Sequence, residues 1–171
     1  MNQVPKIRHA LATVVLLLIA GGCARSRVQP PVAVPAAQEA VFLGYADLRW
    51  EPIIPELGSK SPEITILHVD PTTHATHLLI RTPVAIHIRK HWHTANETHT
   101  LIHGSAVLAC DGKRAELGPG SFNFMPARMV HEAWIAAGSL TLITVDRAWD
   151  INWIEGPPTG ADLNLAAPRA R

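Results

Sequence analysis

His91 and His93 stand two residues apart in a segment, residues 85–93, in which apolar and polar residues alternate. In an extended strand, residues i and i+2 project from the same face, about 6–7 Å apart along the chain. Both imidazoles can therefore aim at one point. Thr94-Ala95-Asn96 then supplies a polar turn, after which Glu97 can come back toward that point at the start of the next strand. Imidazole nitrogens with one carboxylate suit a divalent Fe, Mn, Ni, Co, Cu or Zn ion. Two alternating histidines alone could equally face solvent. Histidine is nonetheless the unusual residue of this chain: nine of its ten histidines fall between residues 41 and 156.

The elements that must position these residues read as short strands. Residues 63–69, 77–81, 85–93, 98–103, 105–110, 113–117, 122–125, 131–135 and 140–145 are apolar or alternating, with turn residues between them. Asp111-Gly112 suits a tight hairpin because both central residues of that turn need positive φ. Gly118-Pro119-Gly120 marks another turn. No stretch offers a long 3.6-residue apolar period with caps, so a β-sandwich or barrel is expected.

The spacing His91-x-His93-x3-Glu97-x6-Gly104 matches the first motif of the cupin family without a gap, and Gly120, Pro126 and His131 stand at the spacings of the second. The chain from about Ile64 to Glu155 thus resembles a single-domain cupin. The resemblance implies an all-β fold, one cupin-type β-barrel (a double-stranded β-helix, or jelly roll). It also implies a divalent metal ion held by His91, His93, Glu97 and His131, with Gly104, Gly120 and Pro126 as turn residues. Three positions depart from the family pattern. Ala85 replaces the opening Gly, Arg128 a Gly after the Pro, and Ile135 the closing Asn. None removes a ligand, but Arg128 puts the turn geometry in question. Three neutral imidazoles and one carboxylate around a divalent ion leave a net charge of about +1. Four protein ligands leave two positions open if the ion is six-coordinate, which suits Lewis-acid or dioxygen chemistry. A closed structural zinc site would tend to use cysteines instead.

Strand parity suggests the rest of the pocket. Arg89 and His87 share the parity of His91; Met129 and Ala133 share that of His131; His99, Leu101 and His103 share that of Glu97. His99 could support the carboxylate, act as an acid or base, or be structural. Arg128 could meet an anionic substrate at the barrel mouth or simply be a solvated loop residue. The five tryptophans read as packing residues, and Cys110, after Val107-Leu108-Ala109, as a small buried hydrophobe. Residues 146–153 resemble the closing strand of single-domain cupins.

Outside the barrel, residues 1–22 read as a secretory signal: Lys6 and Arg8, then an apolar run of eleven residues, too short to cross a bilayer as a helix. Ile19-Ala20-Gly21-Gly22-Cys23 resembles a bacterial lipoprotein signal, which implies lipidation at Cys23, a membrane anchor and, with Ala24 following, the outer membrane facing the periplasm. An ordinary secretion signal is the alternative. Residues 23–40, with Pro30, Pro31 and Pro35, read as a tether; 41–156 as the cupin domain; and 157–171 as a disordered tail. The formal charge of +1 conceals a domain with nine basic and twelve acidic residues between 41 and 156, a net of −3. No basic stripe argues for nucleic acid. No Gly-rich phosphate loop, Gly-x-Ser-x-Gly elbow or Cys-x-x-Cys is present. The expected partners are a small molecule, a membrane through the lipid and, by resemblance, a second copy in a homodimer. The expected function is a metal-dependent dioxygenase, lyase or isomerase, with a non-catalytic metal-dependent sensor or binding protein as the alternative.

Overall fold

The computed structural model describes residues 39–168. The signal segment, Cys23 and nearly all of the tether lie outside the described residues. The strands are β1 (Glu51–Pro52), β2 (Glu63–Val69), β3 (Thr76–Thr82), β4 (Ile86–Trp92), β5 (Glu97–His103), β6 (Ala106–Cys110), β7 (Lys113–Leu117), β8 (Phe122–Met125), β9 (His131–Ile135), β10 (Ser139–Val145) and β11 (Asn152–Trp153). Short 3₁₀ turns at Tyr45–Asp47, Pro55–Lys60 and Gly160–Asp162 complete the described chain. Two antiparallel sheets result, one of six strands in the order β1-β2-β3-β10-β5-β8 and one of five in the order β11-β4-β9-β6-β7. This is the all-β jelly roll expected of a cupin.

Local chemistry explains the main turns. Asp111 and Gly112 take φ of 46° and 69°, the double positive φ of a two-residue hairpin, and Cys110 pairs with Lys113 across it. Gly104 takes φ of 86°, and a Cβ there would lie 2.7 Å from the Ser139 Cα, so the close approach of β5 to the start of β10 requires glycine. Arg128 holds the turn before β9 with φ of 64°, and its N–H donates to the His93 carbonyl at 2.8 Å. The turn thus survives without glycine, its strain offset by that bond.

The sheets face each other across an apolar interior. Leu78, Ala95, Ile143 and Val145 form one buried cluster; Leu108, Met125 and Ala133 form another, against which Cys110 packs half-buried. The closing segment is shorter than expected, since only Asn152 and Trp153 pair with β4, at Trp92 and His91. The tail expected to be disordered is instead packed as far as it is described. Thr159 caps the last 3₁₀ turn, Asp162 is buried, Leu163 bridges to Ile86, and the Asn164 N–H donates to the Ala85 carbonyl at 2.7 Å. Asp162 holds this segment because it meets Arg89, at 2.8 Å from Nη2.

Candidate metal centre

Three strands and one turn bring the expected ligands together. His91 near the end of β4 lies directly opposite His131 at the start of β9, with ring centroids 4.2 Å apart. His93 follows β4, and Glu97 opens β5 opposite Met125 of β8. The turn between them is tied down on both sides. The Asp150 carboxylate accepts from the Thr94 N–H at 2.8 Å and from the Thr94 hydroxyl; Asp146 accepts from the Asn96 backbone at 3.0 Å and its side chain at 2.6 Å. All four residues are buried, with Glu97 only 1% exposed.

The tautomers follow from the partners. His91 Nδ1 lies 2.7 Å from the Arg89 carbonyl, His131 Nδ1 lies 3.0 Å from the Met129 carbonyl, and His93 Nδ1 meets the Asp150 carbonyl. A carbonyl only accepts, so each Nδ1 carries the proton and each Nε2 is left as a bare lone pair. One ring nitrogen from each of the three histidines lies within 4.8 Å of the others. Into this group comes the buried Glu97 Oε2, 3.1 Å from His93 Nε2 and 3.7 Å from His131 Nε2, with no hydrogen bond from any of the three histidines. Acceptors facing acceptors in a buried site repel unless a cation lies among them. The residues present therefore fit a divalent metal ion and could hold one.

Ionisation agrees. Burial, reinforced by the neighbouring His131, lowers the His91 pKa to about 3; burial likewise lowers His131. Burial alone would raise Glu97, but the facing imidazoles, His99 first, bring it down to about 2. At neutral pH the site offers neutral His91 and His131 and a carboxylate, the forms that bind metal.

His99 lies in the same site. Its Nδ1 is 2.7 Å from the Asn123 side-chain amide nitrogen, and its Nε2 is 3.3 Å from Glu97 Oε2. The amide donates, so the His99 proton sits on Nε2 and points at the carboxylate. The other pocket candidates lie elsewhere. On β4, Ile88 pairs with Ala133 and His91 with His131, three steps against two, so a bulge reverses parity between them. Arg89 therefore turns away from the interior to Asp162. Met129 packs against the Leu108–Met125–Ala133 cluster, and Arg128 is exposed, 5.9 Å from the Trp92 ring centroid. His103 is also exposed.

The centre opens on a cavity of about 100 Å³ between the sheets. Trp149 and Trp153, read from sequence as packing, stand in its wall, at 6.0 Å from His93 and 5.2 Å from His91 between ring centroids. Asn123, also in the wall, was missed. Its signal was the reversed pattern Phe122-Asn123-Phe124, in which the aromatic residues are exposed and the amide faces in.

No curated protein matches the chain by sequence. Among solved structures it is similar to an RmlC-like cupin from Shewanella frigidimarina (TM-score 0.55, 18% identity, covering 65% of this chain and 94% of that one). It is similar too to the polyketide cyclase RemF from Streptomyces resistomycificus (0.54, 18%, 68% and 86%) and to an acetylacetone dioxygenase from Acinetobacter johnsonii (0.51, 17%, 64% and 74%). These likenesses are of fold. The family model of the AraC-like ligand binding domain matches residues 78–169, more than half of the chain, so this chain belongs to that family of cupin-type domains.

Proposed function

We propose that this chain binds one divalent metal ion through His91, His93, Glu97 and His131 and uses it as a small-molecule metalloenzyme, an oxygenase or a related lyase or isomerase. The observation that carries this reading is the buried Glu97 Oε2 facing His93 and His131 Nε2 atoms, in a group of three imidazoles (His91, His93 and His131) whose protons are committed to backbone carbonyls. A bound metal would supply Lewis-acid polarisation, water activation or redox chemistry with dioxygen. The chain's own residues supply the rest. The carbonyls of Arg89, Met129 and Asp150 fix the ring orientations. His99 holds a proton against Glu97, and Leu101, Ile143 and Trp149 give the cavity an apolar wall. Structural neighbours named as a dioxygenase and a cyclase are in keeping with catalysis on this scaffold.

The match to a ligand-binding family favours a second reading, a metal-dependent binding protein or sensor without turnover. Export and a lipid anchor at Cys23, placing the domain in the cell envelope, are part of the proposal and rest on the sequence of residues 1–24. The test is to load the full chain with Fe(II), establish about one equivalent by elemental analysis, and follow oxygen consumption and substrate loss across catechols, thiols and small diketones. Turnover supports the enzyme; saturable binding with no turnover supports the sensor; no metal uptake sinks both.

A further inference from the structure

We propose, on the reading that the four-residue centre holds a metal, that the cavity selects small molecules with one chelating head and an uncharged apolar body, and rejects molecules whose body carries a charge. The wall is built from both sheets. Ile80, Leu101 and Ile143 face it from the six-stranded sheet, and Ile88, Leu108 and Ile135 from the five-stranded one. Apart from the four proposed ligands, its polar side chains are His99, Asn123 and Thr141, with the indole N–H groups of Trp149 and Trp153. His99 and Asn123 are already engaged with Glu97 and with each other.

Among the described residues, no lysine or arginine lines this cavity. The two cations that could have met an anion are accounted for: Arg89 is paired with Asp162 on the outside of the barrel, and Arg128 is exposed over Trp92. A carboxylate on the body of a ligand would thus enter a mostly aliphatic wall without a counter-ion, where only neutral donors, the Thr141 hydroxyl and the Trp149 and Trp153 indole N–H groups, could meet it, and burying an unpaired charge is strongly unfavourable. Polar recognition is concentrated at the metal, and the rest of the cavity rewards apolar surface. Size narrows the class further. The cavity, about 100 Å³, is smaller than the roughly 150 Å³ apolar cavity that holds a benzene. The body is therefore limited to a few carbon atoms.

The experiment uses the full-length chain loaded with Co(II), whose visible d–d bands report both metal uptake and ligand exchange. Two probes are titrated, isovalerohydroxamate and the monohydroxamate of malonate. They share the chelating head and have nearly the same shape, but one ends in two methyl groups and the other in a carboxylate. After correction for each probe's affinity for aqueous cobalt, the isovaleryl compound is expected to bind at least 30-fold more tightly. Equal binding, or tighter binding of the malonate compound, by a cobalt-loaded protein overturns this inference and leaves the metal centre standing. A protein that takes up no cobalt overturns both.

Discussion

Strands β4 and β9 carry two histidine–carboxylate clusters on opposite faces, and the clusters differ in one physical respect. On the outer face, His87 Nε2 lies 2.9 Å from Glu132 Oε2, and its ring stacks on Trp134 with centroids 4.5 Å apart. Asp162 beside it takes Arg89 Nε at 3.0 Å, the Thr159 N–H at 2.8 Å and the Thr159 hydroxyl at 3.1 Å. There, acceptors meet donors. On the inner face His91, His93, Glu97 and His131 present acceptors to one another, with their donors committed elsewhere. Residue type alone does not separate a structural latch from a cluster that could hold a metal; the pattern of hydrogen bonding does.

The contrast breaks first on metal content. His91→Ala, Glu97→Ala and His131→Ala should each lower bound metal in the dialysed protein from about one equivalent to nearly none, while His87→Ala and Asp162→Ala leave it at one. Equal losses from both groups would erase the distinction between the clusters. A smaller effect belongs to the support of Glu97. Removing His99 or Asn123, as His99→Phe or Asn123→Ala, should weaken metal affinity by about 10–100-fold without abolishing it, as measured by competition with a chromophoric chelator.

Acidity sharpens the same difference. The His91 pKa is lowered from 6.5 to about 3, so between those values the unfolded chain binds a proton that the folded metal-free chain does not. Glu97, lowered from 4.5 to about 2, acts with the same sign over a more acid range. Stability of the metal-free protein is therefore fullest above pH 6.5 and falls as pH drops toward 3 and then 2. Thermal melts across that range should show Tm falling on acidification, and less steeply in His91→Asn. A Tm that rises as pH falls from 6.5 would contradict the burial of neutral His91. The smallest expected effect is on the outer face. Asp162→Ala removes its half of the capping box that it forms with Thr159, and the partner of Arg89, and should cost about 1–2 kcal/mol of stability in denaturant melts, with metal affinity unchanged.

Much of the fold was legible because alternation and turn chemistry are local. Asp111-Gly112 specifies its hairpin, and His91, His93 and Glu97 reach one point by strand parity and a three-residue turn. His131 was legible only through resemblance, since nothing local links it to His91 across forty residues. Parity failed where the ladder is irregular. The bulge between Ile88 and His91 turned Arg89 outward, and a period of two cannot show an inserted residue. Asp162 was read as tail because its partner, Arg89, lies 73 residues away. Trp149 and Trp153 gave no sign of their place beside the histidines, because the segment that carries them is mostly loop and has no period to read.

The most direct test is an anomalous difference map from crystals of the metal-loaded protein. The peak should lie within about 2.0–2.3 Å of Nε2 of His91, His93 and His131 and of a Glu97 carboxylate oxygen. A peak at the His87–Glu132–Asp162 cluster, or none between β4, β5 and β9, would contradict the assignment of the inner cluster as the metal centre.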